Sequence, residues 1–136
     1  MANDKENEWL NGLTEKSNAT LLVRDTLGCI CPREIFDHYQ VRSHIAGNIP
    51  MVQLIMGERL LVRIVDAARF NDPEKTAIEL LKEGLAERDR RNLNRFRLVI
   101  VGTFQPSQAQ ALTGLPDTMD PKFHLHILPV PWIRLK

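Results

Sequence analysis

The sequence predicts a small single-domain α/β or α+β protein with helices packed on a mixed sheet, and three observations carry this. Strand-like runs alternate with helical stretches in the order β–α–(β)–β–β–α–β, followed by a loop-rich C-terminal extension. The run Phe96-Arg97-Leu98-Val99-Ile100-Val101 is apolar on both faces apart from Arg97, as an interior strand is. A chain of 136 residues fits one domain, able to bury roughly two thirds of its unfolded surface.

Taken in order, residues 1–17 are polar with only Trp9, Leu10 and Leu13 able to pack, which reads as a loose arm or one short helix. A core of residues 18–103 follows. Thr20-Leu21-Leu22-Val23-Arg24 reads as its first strand. Pro32 suits the first position of a helix over Arg33 to Tyr39, and Gln40 to Ile45 reads as a strand or a crossover. Met51–Met56 and Arg59–Val65 around Gly57-Glu58 form a hairpin. Asp72-Pro73-Glu74 opens a helix with the stripe Ala77, Ile78, Leu81, Leu85, running to about Asn92, with Gly84 as a weak point inside it. Residues 104–136 form a proline-rich extension packed on the core, with a turn of helix at Ser107–Leu112 and a strand at Phe123–Leu128.

Charge and composition narrow the function classes. Eighteen Lys and Arg face 17 Asp and Glu, so the net charge of +1 gives no whole-chain argument for nucleic acid. Arg88, Arg90, Arg91, Arg95 and Arg97 form one basic concentration, interleaved with Glu87 and Asp89, and read as a solvated helix end. The apolar runs are too short to cross a membrane, and the N-terminus has no apolar signal segment. A cytoplasmic protein is expected, and two cysteines there are not a disulfide framework. The chain contains no GxGxxG, P-loop, HExxH or GxSxG pattern.

The chemistry gathers at Cys29-Ile30-Cys31-Pro32, placed between the expected first strand and first helix. A helix N-terminus stabilises a thiolate and lowers its pKa. A second thiol two residues away can resolve a mixed disulfide, or the two sulfurs can hold a metal ion. The structural alternative is that both cysteines are small apolar fillers. Asp25, Glu34 and Asp37 lie nearby in sequence as candidate proton acceptors. His124 and His126 share one face of their strand, opposite Phe123, Leu125 and Ile127. With Cys29 and Cys31 they make a ligand set that tetrahedral zinc accepts; on their own they are the polar face of an edge strand.

From Thr20 to about Asn92 the order of these features resembles the thioredoxin-like layout: strand, cysteine motif, helix, Ile49-Pro50, then a hairpin with a Gly-containing turn. The resemblance implies Cys29 as attacking thiol, Cys31 as resolving thiol and Pro50 as a cis proline facing them. The spacing here is Cys-x-Cys in place of Cys-x-x-Cys. A ferredoxin-like split βαβ arrangement is the alternative fold. The leading expectation is therefore a small intracellular thiol protein acting in disulfide exchange or metal handling. The alternative is a non-catalytic module acting through a protein partner or as a homodimer, with Pro129-Val130-Pro131-Trp132-Ile133 as a docking tail.

Overall fold

The computed structural model describes residues 4–28, 34, 37–57, 59–120 and 122–128 of the chain. It begins with helix α1 (Asp4–Leu13) and the short helix α2 (Lys16–Thr20), which widens into a π-helical turn over Leu21–Thr26. The amide of Leu27 donates to the carbonyl of Leu22 at 2.8 Å, closing that wider ring. This corrects the strand expected from Thr20 to Arg24. Five residues are too few to reveal a period. Over the longer window Ala19, Leu22, Val23 and Leu27 recur at i, i+3, i+4 and i+8, and all four are buried. The N-terminal segment takes the helical one of its two expected forms, with Trp9 and Leu13 buried.

Five strands follow: β1 (Tyr39–Ala46), β2 (Ile49–Met56), β3 (Leu60–Asp66), β4 (Arg95–Val101) and β5 (Phe123–Leu128). They lie in sequence order in one mixed sheet, antiparallel from β1 to β3 and parallel from β3 to β5. Gln40 to Ile45, left open between strand and crossover, is therefore a strand. It joins β2 through Gly47-Asn48, whose φ values of 56° and 68° are those of a two-residue type I′ turn. The expected hairpin from Met51 to Val65 and the interior strand at Phe96 are both present.

Helix α3 (Pro73–Arg90) carries the chain from β3 to β4, and α4 (Pro106–Gly114) carries it from β4 to β5. The side chain of Asp72 caps α3 by accepting from the amide of Lys75 at 3.2 Å. β3, β4 and β5 advance in one direction across the sheet, so crossovers of one hand put α3 and α4 on the same face. Residues 104–128 thus supply the second crossover helix and the fifth strand.

The result is three layers. Under α3 and α4, Leu61, Val65, Phe96, Leu98, Ile100 and Phe123 pack with Ala77, Leu81 and Leu112. On the opposite face Leu54, Val62, Ile64, Val99 and Val101 pack with Trp9, Leu13, Leu22 and Leu27. Gly84 is no weak point: a Cβ there would fall 2.2 Å from the ring of Phe96. The helix needs glycine to come down onto β4. Among the described residues no helix is long and apolar enough to cross a membrane.

Candidate functional site

On β4, Arg97, Val99 and Val101 point to the α1–α2 face, and Arg97 is the charged exception in that row. Its side chain is 7% exposed. One terminal nitrogen, Nη1, donates to the carbonyl of Leu27 at 3.1 Å and lies 2.8 Å from Nε2 of His126. A guanidinium has donors only, so Nε2 of His126 accepts and the imidazole carries its proton on Nδ1.

The parallel pairing explains the meeting. Arg97 stands opposite His124, and Val99 opposite His126, so both imidazoles reach the face that Arg97 occupies. Phe123 and Leu125 fill the other face, as the alternation in the sequence requires. The two imidazole centroids are 6.3 Å apart. Burial, then the Arg97 charge, then His124, push the His126 imidazolium down to about 4. Burial, Arg97 and Arg95 lower His124 as well. β5 is an edge strand, yet its histidines are half-buried and uncharged near neutral pH.

Three features of this cluster bear on chemistry. Among the described residues Arg97 has no carboxylate partner, and burial lowers its own pKa. A buried guanidinium without an anion is expensive to keep. Nε of Arg97 and Nε2 of His124 are buried with no hydrogen-bond partner among those residues. Finally, Gly28, with φ of 73°, follows Leu27 and leads the chain out of this cluster toward Cys29.

Cys29, Cys31 and Pro32 lie outside the described residues, as does most of the helix expected after them; Tyr39, its expected end, opens β1. The docking tail from Pro129 to Ile133 lies outside them too. The element preceding the cysteines is a helical turn whose carbonyl end faces them in sequence. That end carries negative potential, and among the described residues Arg97 is the buried cation that meets its last carbonyls, at Leu27. Among the described residues no three His, Cys, Asp or Glu side chains gather as a metal site would require.

Pro50 sits in β2 opposite Ile45, beside the Gly47-Asn48 turn, and lines a cavity of about 370 Å³ with Glu6 and Asn7. Arg97 stands level with Val62 and Leu54, four residues further along β2 and two strands away. The strands therefore separate Pro50 from the Arg97–His126 cluster. Asp37 is exposed and binds Lys16, which holds its carboxyl below the usual range.

The solvated reading of the arginine concentration is corrected at two positions. Arg88 is buried, donates to Asp120 at 3.1 Å and to Asp89 at 3.0 Å, and lies 5.0 Å over the ring of Phe123. It ties the end of α3 to the start of β5. Arg97 belongs to the cluster above, and its signal in the sequence was a single charge in an otherwise apolar strand. No protein-family model and no curated protein matches this chain.

Proposed function

We propose that the protein is a thiol–disulfide exchange protein in which Cys29 attacks and Cys31 resolves. The observation that carries this reading is the buried Arg97, which holds the carbonyl of Leu27 two residues ahead of Cys29 and lacks a carboxylate among the described residues. Two residues of chain reach at most about 7 Å. That reach would let the Cys29 sulfur come within the roughly 4–6 Å at which a cation lowers the pKa of a thiol, and a thiolate would supply the charge that Arg97 lacks.

The chemistry then runs in two balanced steps. The Cys29 thiolate attacks one sulfur of a substrate protein's disulfide, the S–S bond breaks, and the departing sulfur leaves as a thiolate. Cys31, deprotonated in turn, attacks the Cys29 sulfur of the mixed disulfide and releases the second substrate thiol. The substrate gains two electrons and the Cys29–Cys31 pair loses them. These roles are those the thioredoxin-like resemblance implies, and neither the strand order of that fold nor Pro50 takes part in the two steps.

One observation favours a second use of the same place. Nε2 of His124 is buried without a partner among the described residues, and neutral imidazole beside thiolates suits zinc. Cys29, Cys31 and His124 would supply ligands directly. His126 would do so through Nε2 only after Arg97 released it, or through Nδ1.

Alkylation of the reduced native protein across pH, read residue by residue by mass spectrometry, tests the main reading. Cys29 should react faster than Cys31, with a titration below the ordinary thiol value of about 8.5 that rises in Arg97→Gln. If neither cysteine reacts in native protein and both react after unfolding, they are filler and the proposal fails.

A further inference from the structure

On the sheet face opposite Arg97, a cavity of about 820 Å³ opens between the end of α3 and the start of β1. Its walls include His38, Gln40, Ile55, Arg91, Asn92 and Leu93. Volumes of this order are those of small-molecule sites. The wall from α3 is fixed by the way that helix ends. Asn92 takes φ of 57°, its amide donates to the carbonyl of Asp89 at 3.2 Å, and the amide of Leu93 donates to the carbonyl of Arg88 at 2.9 Å. This closure locks Arg91, Asn92 and Leu93 together.

Arg91 is held from behind. Its Nε donates to the carboxylate of Glu87, which is 3% exposed and is also paired with Arg90. Glu87 lies 4.0 Å from Arg63, itself 1% exposed. Arg63 donates to Gln53 at 2.9 Å and to Glu83. Three guanidiniums, Arg63, Arg90 and Arg91, therefore face two carboxylates, Glu83 and Glu87, and the cluster keeps a surplus of one positive charge. The same field, with burial first, brings the Arg63 guanidinium down to about 10. Asp37, also on the rim, is bound to Lys16. The Nη atoms of Arg91 have no partner among the described residues, although its Nε fixes the side chain.

We infer that this cavity binds a small organic anion, a phosphate monoester or carboxylate on an apolar body, with its charged oxygens on Arg91. A guanidinium whose two Nη atoms have no partner among the described residues suits paired oxygens of that kind. Ile55 and Leu93 offer an apolar floor for the body, and the amides of Gln40 and Asn92 offer polar contacts beside it. The cavity lies on the sheet face opposite Arg97, and binding there involves no thiol.

The full chain, labelled with ¹⁵N, is titrated with phenyl phosphate and followed by amide chemical shifts. Saturable shifts confined to Gln40, Ile55 and Arg91 to Leu93 are expected. Arg91→Gln should weaken the affinity about tenfold or more, with Arg91→Lys between it and the wild type. Inorganic phosphate should bind more weakly than phenyl phosphate, because it lacks the apolar body. Absence of saturation in the wild type, or equal affinity in Arg91→Gln, overturns the inference. Equal binding of inorganic phosphate removes the apolar subsite and overturns the stated class. A single-stranded decanucleotide that binds far more tightly, with a steep salt dependence and shifts spread along β1, would make this a nucleic-acid surface and also overturn it.

Discussion

Arg97 and His126 share one hydrogen bond of 2.8 Å, and that contact ties the tautomer of the histidine to the charge of the arginine. Protonating His126 would put two cations at that distance and remove the acceptor that Arg97 uses. Burial first, and this contact after it, favour the neutral imidazole in the folded chain and bring its pKa down to about 4.

The sign of the pH dependence follows. The folded pKa of His126 lies below the ordinary value of 6.5, so the unfolded chain binds the proton more tightly. Stability from this group is fully present above pH 6.5 and is lost as pH falls toward 4. Between pH 7 and 5 the loss is expected to reach about 2 kcal/mol. His124 and His44, both lowered mainly by burial, act in the same direction. Urea unfolding at pH 7 and pH 5 should show a smaller difference in His126→Gln than in the wild type. An unchanged difference would mean that His126 takes up its proton without disturbing Arg97.

Metal content separates the two uses of the cysteine motif. If zinc is handled, protein purified under reducing conditions should hold it, and the double variant His124→Ala, His126→Ala should lose much of it along with melting temperature. Elemental analysis beside thermal melts makes the comparison. Equal metal in both proteins would exclude the histidines as ligands.

Gly84→Ala tests the packing of α3 on β4. Alanine gains about 1 kcal/mol in helix propensity over glycine. The new Cβ, however, meets the Phe96 ring at 2.2 Å, and overpacking of this kind costs about 1–3 kcal/mol. A net loss of about 1 kcal/mol is expected, reversed in the background Phe96→Leu, where the ring is gone. Urea midpoints of the two pairs decide it, and a loss in both backgrounds would contradict the contact.

Much of this fold is legible along the chain wherever local signals are complete. Asp72-Pro73 marks the start of α3, and the period-two pattern of Phe123 to Leu128 gives both β5 and the shared face of its histidines. The turn at Gly47-Asn48 carried a hairpin signal as plain as the one at Gly57, and its positive φ values make it readable in retrospect. The helical turn over Leu21–Thr26 was hidden because Leu21-Leu22-Val23 looks like a strand until Ala19 and Leu27 are added to the window. The meeting of Arg97 with Leu27 and His126 had no local trace. It depends on a parallel pairing across α4 and on the layer that α2 forms over the sheet. The Arg91 cavity is likewise made by residues brought together only when β1 and the end of α3 settle on one sheet.

Two buried arginines with opposite surroundings give the sharpest test of the electrostatics. Arg63 sits among Glu83, Glu87 and Gln53, whereas Arg97 has a carbonyl and an imidazole and no carboxylate among the described residues. Replacing Arg63 by Met leaves Glu87 still paired with Arg90 and Arg91 but strips Gln53 and Glu83 of their donor, and losing two such hydrogen bonds costs about 3–4 kcal/mol. Replacing Arg97 by Met removes a buried charge and leaves only the Leu27 carbonyl and a neutral imidazole without a donor. That change should cost about 1–2 kcal/mol. A thiolate partnered to Arg97 would not alter this order, because the thiol can take up a proton once the cation is gone. Urea unfolding of reduced protein at pH 7 compares the two variants, with Arg63→Met expected to be the less stable by about 2 kcal/mol. Arg97→Met as the more damaging change would reveal an anion already neutralising Arg97 in the folded chain, one too strongly charged to be relieved by a proton.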